Sequence, residues 1–368
     1  MWLYCAAERA LPVGGLGRLS TQRRVRVYVG QQHGSAMSIL TRRGDEASVT
    51  TMTRRCRRVV WLTALLQLWI LGACGGQTAT TTATPITLYT CVNDTTIQPV
   101  IQKFEAGHAG VKVDLFRAPT GQLNARVASD VRSGGLKADV IWACDPLTMQ
   151  DYVAQGLVGG WTPQTDIPAA VLTPDYVGVA VLYMVAVTRT GHPAPAAWTD
   201  LSRAGKVAVP DPNVAASALG ALGYFGPDFY ANLKAKGAVQ VSTPDDVTTG
   251  VAQGIYDAGM TIANSAYAAQ KSGSPVTVSW PKPGAVAIYG PIALSKTTAN
   301  SGPAQDFVSF VASRDGQALV GSSGSYPTLP GVASPTKPED TPTVNPDWKA
   351  LANQKATLLR DYAKIFGG

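Results

Sequence analysis

The sequence has no apolar run long enough to cross a membrane as a helix. Its most hydrophobic stretch, Val59–Ala73, counts 15 residues, and a spanning helix needs about 20. Histidine is scarce. Three occur, and the two beyond residue 73, His108 and His192, lie far apart in turn-like contexts. Neither a C-x-x-C nor an H-x-x-x-H spacing is present, so the common transition-metal patterns are missing and no metal site is expected. A cysteine hydrolase lacks its base as well. His108 follows a surface helix and His192 precedes Pro193, so neither stands where a base could activate Cys144. Acidic residues are sparse at one end only. Residues 1–73 hold 11 Arg, no Lys and three acidic residues, while the remaining 295 residues carry one more acid than base. The formal charge of +7 therefore belongs to the N-terminal segment. The rest has no basic residues interleaved with its aromatics, so nucleic acid is not expected as a partner. Short-period repeats are absent too.

What is present begins with that 15-residue run. Arg54, Arg55, Arg57 and Arg58 stand just before it, and Gly72-Ala73-Cys74 closes it. A basic flank, a short apolar core and small residues make a secretory leader. The tetrapeptide Leu71-Gly72-Ala73-Cys74 resembles the lipobox of bacterial lipoproteins, which implies that Cys74 carries lipid. Residues 1–73 are then leader. Met52 opens a leader of ordinary length by itself (residues 52–73), so residues 1–51 are expected to lie upstream of the start that is used. The Thr-rich stretch within residues 74–85 reads as a solvated tether. The protein is expected outside the cell, lipid-anchored to the outer face of the cytoplasmic membrane.

From residue 86 the chain alternates strand and helix signals. Ile86–Thr90, Val111–Phe116 and Ala138–Ala143 read as strands. Between them Ile97, Val100, Ile101 and Phe104, then Leu123, Val127 and Val131, recur at helical spacing. Asp145-Pro146 opens the next helix. This β-α-β-α-β order implies a parallel sheet with ligands beyond the carboxyl ends of its strands. Val177–Thr188 is too long for an ordinary strand and suits a crossing between two domains. A second α/β set follows. Lys206–Pro212 is a strand and Ala215–Leu222 a helix. Residues 247–254 are helical, and residues 258–269 run from strand into helix. Gly284–Lys296 reads as a pair of strands, Ala304–Val320 as one helix, Tyr326–Asp347 with its six prolines as an extended loop, and Trp348–Phe366 as a closing helix.

The order of these pieces resembles the bacterial extracellular solute-binding proteins of ABC importers, in the group that holds ferric-iron, thiamine, polyamine, phosphonate and sugar-phosphate binders. Five stretches carry the resemblance: residues 88–115, 138–158, 198–217, 250–268 and 304–328. It covers Ile86 to about Pro330. The resemblance implies an α/β periplasmic-binding-protein-like fold with two lobes, each a mostly parallel sheet flanked by helices, and a ligand cleft between them. Residues 86–183 with 284–328 form lobe 1, and residues 184–283 with 329–368 form lobe 2. It also implies a monomer that takes a small-molecule ligand, docks on the transmembrane permease subunits of an importer, and has no catalytic constellation and no cofactor.

The ligand is expected to be an organophosphonate or a phosphate ester. Iron-binding members supply a His and a Glu from one lobe and two adjacent tyrosines from the other. By ungapped comparison those positions fall on Asn93, on Cys144 and near Ala263–Ser265, with Tyr267 a single tyrosine close by. An amide, a thiol and a hydroxyl suit a ferric ion poorly. Ferric iron with a synergistic anion, a polyamine or thiamine are the alternatives. Three helix openings, at Asn93-Asp94-Thr95, Asn213–Ser217 and Asn264-Ser265, offer N–H groups and positive dipole ends for an oxyanion. Asp94 and Asp145 are placed to receive an amine. Thr90 and Asn264 end strands pointing at the cleft. Asp94, Asn213 and Ser217 are equally explained as helix caps, and Asp145 as a helix start. Trp142 is expected in the core. Tyr267 suits packing on a carbon chain, and Tyr289 suits either cleft lining or hinge packing. Cys91 and Cys144 follow strands that the family topology sets side by side, which implies a disulfide closing a loop of roughly 50 residues worth about 3–4 kcal/mol.

Overall fold

The computed structural model describes residues 84–335, 337–338 and 341–367. The leader, Cys74 and the tether up to residue 83 lie outside them.

The first half of the fold is built by β1 (Thr84–Thr90), α1 (Asp94–Gly107), β2 (Val111–Arg117), α2 (Thr120–Arg132), β3 (Val140–Trp142) and α3 (Pro146–Ala154). Strand β4 (Val177–Arg189) then leads to β5 (Val207–Pro210), α4 (Ala216–Phe225), α5 (Pro227–Ala235), β6 (Val239–Val241), α6 (Pro244–Ala252), β7 (Ala258–Ile262), α7 (Ala263–Lys271) and β8 (Val276–Ser279). The return is made by β9 (Ala285–Leu294), α8 (Ser301–Ala312), α9 (Arg314–Ser322), β10 (Tyr326–Pro327), β11 (Thr343–Val344) and α10 (Trp348–Phe366).

The strands form one path, β2-β1-β3-β9-β4-β7-β5-β6. Its two ends are parallel triplets, β2-β1-β3 and β7-β5-β6, and antiparallel β9 and β4 join them. The strand–helix alternation read from the sequence therefore gives two α/β halves bridged by long strands. β4 is long because it serves both. Val177–Met184 pair with β9, and Met184–Arg189 pair with β7 and β8. Each half has its own core. Ile86, Leu88, Ile97, Phe104, Trp142 and Phe307 lie in one, and Val207, Leu219, Leu222, Tyr230, Met260 and Leu358 in the other.

Three local expectations are corrected. Gly284–Lys296 holds a single strand. Gly290-Pro291 lies inside it, where β4 has a bulge between Gly178 and Ala180 opposite, and such an irregularity absorbs the donor that proline lacks. Ala304–Val320 is two helices. Ser313 between them is extended, at φ −76° and ψ 167°, and its Oγ accepts from Gly316 N, so it ends one helix and caps the next. On α2, Val131 is 42 % exposed, whereas Leu123, Val127 and Asp130 are buried. The inward stripe turns to Asp130 because its carboxylate accepts from the Tyr89 hydroxyl at 2.8 Å and from Lys137 N at 3.2 Å.

Candidate functional site

Helices start where strands end on both sides of the joint, and their N-termini meet. In the first half, β1 passes through Cys91–Asn93 into α1, and β2 passes through Pro119 into α2. In the second half, α4, α6 and α7 begin at Ala216, Pro244 and Ala263. Between them lies a cavity of about 220 Å³ whose polar walls are Asn93, Arg117, Thr120, Ser217, Thr243 and Asp245. An outer groove of about 470 Å³ shares Asn93, Arg117 and Asp245 and adds Asp94, Thr95, Thr248, Asn264, Ser265 and Ser323. The two halves touch beside the inner cavity, where Gly121 N donates to Val214 O at 3.1 Å. Glycine is needed there, because a Cβ on Gly121 would stand 2.9 Å from Asn213 O.

Local sequence explains the free N–H groups. The N-cap of α4 is Ala215, which has no side-chain acceptor, so the amides of Ala216 and Ser217 face the cavity without a cap. Asn93 occupies the N-cap position of α1 without capping it, because its Oδ1 accepts from Arg117 Nη2 at 2.9 Å. Arg117 Nε also donates to Val92 O at 3.2 Å. These bonds hold the guanidinium at the cavity mouth. The α6 start carries a capping box between Thr243 and Asp246, which leaves Asp245 turned toward the cleft, where it accepts from the Ser265 hydroxyl. Cys91 and Cys144 line the inner cavity and form a disulfide, with Cα atoms 5.9 Å apart.

The structure brings Asn93, Asp94, Ser217, Asn264 and Ser265 to these two cavities. Asn264 Oδ1 is buried and has no partner among the described residues. It leaves the other residues proposed from sequence outside the cavity walls. Thr90 is fully buried, and its hydroxyl donates to Trp142 O at 2.8 Å and accepts from Val92 N at 3.0 Å, which ties β1 to β3. Asp145 is fully buried beneath the α3 start and caps it, Oδ1 accepting from Thr148 N at 2.9 Å. Burial raises its carboxyl pKa above the usual range, and no amine from the cleft reaches it. Asn213 bends onto Asp211 Oδ1 through both its backbone and side-chain nitrogens. The Tyr267 hydroxyl accepts from Trp280 Nε1 at 2.9 Å within an aromatic cluster containing Tyr326. Tyr289 packs at the joint of the halves, edge-on to Trp348 with centroids 6.0 Å apart. Burial raises the pKa of its hydroxyl. Trp142 is in the core.

Sequence reasoning missed Arg117, Asp245, Thr120 and Thr243. Arg117 is the residue at the carboxyl end of β2, so the strand-end rule would have found it had the strand been carried one residue past Phe116. Asp245 follows Thr243-Pro244, a helix-start signature that the periodicity from Val247 onward did not include. Among the described residues no cluster of three His, Cys, Asp or Glu side chains is arranged to hold a metal ion, and no helix is long and apolar enough to cross a membrane.

Two α/β halves joined by crossing strands, with helix N-termini facing a polar cleft, define a two-lobe solute-capture protein. The chain belongs to the bacterial extracellular solute-binding protein family, whose model matches residues 86–325. Solved structures share the fold. The periplasmic binding protein AfuA from Actinobacillus pleuropneumoniae, solved with fructose-6-phosphate bound, superposes with a TM-score of 0.70 at 15 % identity, covering 77 % of this chain and 99 % of that one. Iron-bound HitA from Pseudomonas aeruginosa gives 0.65 at 21 % identity, covering 76 % and 99 %. The periplasmic binding protein P5PA gives 0.68 at 17 %, covering 77 % and 99 %. No curated protein matches the chain by sequence. The protein is thus a solute-binding component of an ABC importer and not an enzyme. It takes up a small ligand and works with permease subunits.

Proposed function

We propose that the cleft captures an organophosphonate or a phosphate ester for import. The observation that carries this is the meeting of the N-termini of α1, α2, α4, α6 and α7 on one cavity that also holds Arg117. Unpaired N–H groups and positive dipole ends favour an oxyanion, and a guanidinium adds charge-assisted bonds. Ser217 and Thr120 supply hydroxyls with no side-chain partner among the described residues. Asn93 and Asn264 add amide groups that turn to suit the ligand. The lobes are residues 86–183 with 284–328 and residues 184–283 with 329–368, and they hinge on β4 and β9. The working form is a monomer held at the membrane by lipid on Cys74. Four arginines, a 15-residue apolar core and small residues before Cys74 support that anchor, as does membership of an extracellular family.

A thermal-shift screen of the purified protein against phosphonates, phosphate esters, polyamines, thiamine and ferric citrate tests the ligand class. A phosphonate or phosphate ester at about 100 times its Kd should add about 2.7 kcal/mol, a rise of roughly 4 °C in Tm for a chain of this size. A rise with ferric citrate alone would contradict the proposal.

A further inference from the structure

The parallel strands of the first half share an edge at their amino ends, away from the cleft. There β1 starts at Thr84, β2 at Val111 and β3 at Val140, and antiparallel β9 ends at Leu294. Side chains tie this edge together. Asn300 Nδ2 donates to Pro85 O at 3.1 Å, and Asp139 accepts from Thr87 N at 2.8 Å and from the Thr298 hydroxyl. Around it stand five exposed cations, Lys103, Lys112, Arg132, Lys137 and Lys296. Three acids lie among them. Lys112 binds Glu105 at 2.8 Å, and Asp130 and Asp139 are buried and bonded within the fold. The exposed Asp114 and Asp306 stand back from the edge on β2 and α8.

The excess of positive charge is local, because residues 74–368 carry one more acid than base. Helix dipoles explain little of it. Arg132 is in the last turn of α2, but α1 has no cation in its last turn, and Lys112, Lys137 and Lys296 lie outside helices. The far end of the second half is different. Lys234 and Lys271 sit in the last turns of α5 and α7, and Arg203 is paired with Asp200. The chain also enters at the first-half edge. Residues 74–83 carry no charge and reach at most about 35 Å when fully extended, so a lipid on Cys74 leaves this edge within that reach of the bilayer. Val131, next to Arg132, is 42 % exposed, and an apolar side chain among cations suits the headgroup boundary.

We infer that the basic edge of the first half is a docking surface for anionic phospholipid headgroups. This rests on the lipid anchor proposed for Cys74. The anchor confines the protein and the edge orients it. Strands β2, β1, β3 and β9 spread the cations over about 15 Å, and each cation at an anionic surface is worth roughly fivefold in binding. The contacts are weak singly, and the tether makes them count by raising the local concentration of headgroups. Resting on this edge points the carboxyl ends of β1 and β2, and with them the cleft, away from the bilayer. The cleft then stands clear by about 23 Å, the length of a seven-residue strand.

Co-sedimentation with vesicles tests it, using the mature chain, residues 74–368, purified without its lipid. One vesicle set is phosphatidylglycerol and phosphatidylcholine in equal parts, and the other is phosphatidylcholine alone. At low salt the protein should partition at least about tenfold more strongly to the anionic set. Raising the salt to about 0.15 M should weaken that binding, as the Debye length falls to about 8 Å. The triple variant Lys103→Glu, Lys137→Glu and Lys296→Glu should lose at least about tenfold. Lys234→Glu, Lys236→Glu and Lys271→Glu, the same change of charge at the second half, should bind like the wild type. Unchanged circular dichroism spectra would show that both variants are folded, and the comparison of the two vesicle sets stands without any variant. Equal partition to both sets would overturn the inference. So would wild-type binding by the first triple variant, or equal losses in the two. The assay omits the anchor, so it reads the edge apart from Cys74, which membrane fractionation tests by itself.

Discussion

Arg117 and Asp145 show how position and side-chain direction separate. Arg117 ends one strand of the first half and Asp145 follows another, yet Arg117 lines the cleft and Asp145 is buried as a helix cap. A rule about strand ends locates a residue along the chain and not the way its side chain turns. It found Asn93, Ser217, Asn264 and Ser265 at the cleft, and with equal force it selected Thr90, Asn213 and Asp145, which bond within the fold and line neither cavity. Two predictions belong at this scale. Arg117→Ala should weaken phosphonate binding by about 10- to 100-fold, the worth of a hydrogen bond to a charged group of about 1.5–3 kcal/mol, with Tm of the free protein unchanged because Arg117 is exposed. Asp145 titrates above the normal carboxyl range because it is buried. Its folded form holds a proton that the unfolded chain releases, so its contribution to stability is full below the unfolded pKa and is lost as pH rises through the folded one. Asp145→Asn removes that slope. In urea unfolding, the advantage of the wild-type protein over the variant should therefore be largest in acid and shrink toward neutral pH.

At the scale of elements, the strand–helix order was legible because apolar periodicity changes cleanly between 2 and 3.6 residues along the chain. Interruptions inside elements were not. The break at Ser313 leaves Phe307, Val308, Val311 and Val320 buried on both sides of it, so hydrophobic spacing hides it. Gly316 needs its missing Cβ, which would press on the Phe310 carbonyl. Ser313→Ala should cost about 1 kcal/mol as a lost cap, and Gly316→Ala more than that, as measured by chemical denaturation. The Cys91–Cys144 disulfide ties the ends of β1 and β3 over a sequence separation of 53. Replacing both cysteines by serine should lower stability by about 2–5 kcal/mol and loosen the segment that carries Asn93.

The described residues form two lobes that meet over a charged cleft. Besides the Gly121–Val214 bond, the ion pair of Lys355 on α10 with Asp151 on α3 ties them. Asp151 is half exposed, so this tie contributes no more than about 1 kcal/mol. The two-lobe plan was legible in the overlong β4. Which side chains face each other across the cleft was not, since those contacts join residues far apart in sequence. At this scale Cys74→Ser should free the exported protein from the membrane fraction, as read by fractionation of expressing cells. The proposed role of the cleft is to bind an oxyanion through Arg117 and the helix N-termini. The most direct test is calorimetric titration of ethylphosphonate into the wild-type protein and Arg117→Ala. Saturable binding to the wild type and a loss of about 10-fold or more in the variant are expected. Equal binding by both proteins, or no binding by either, would contradict that role.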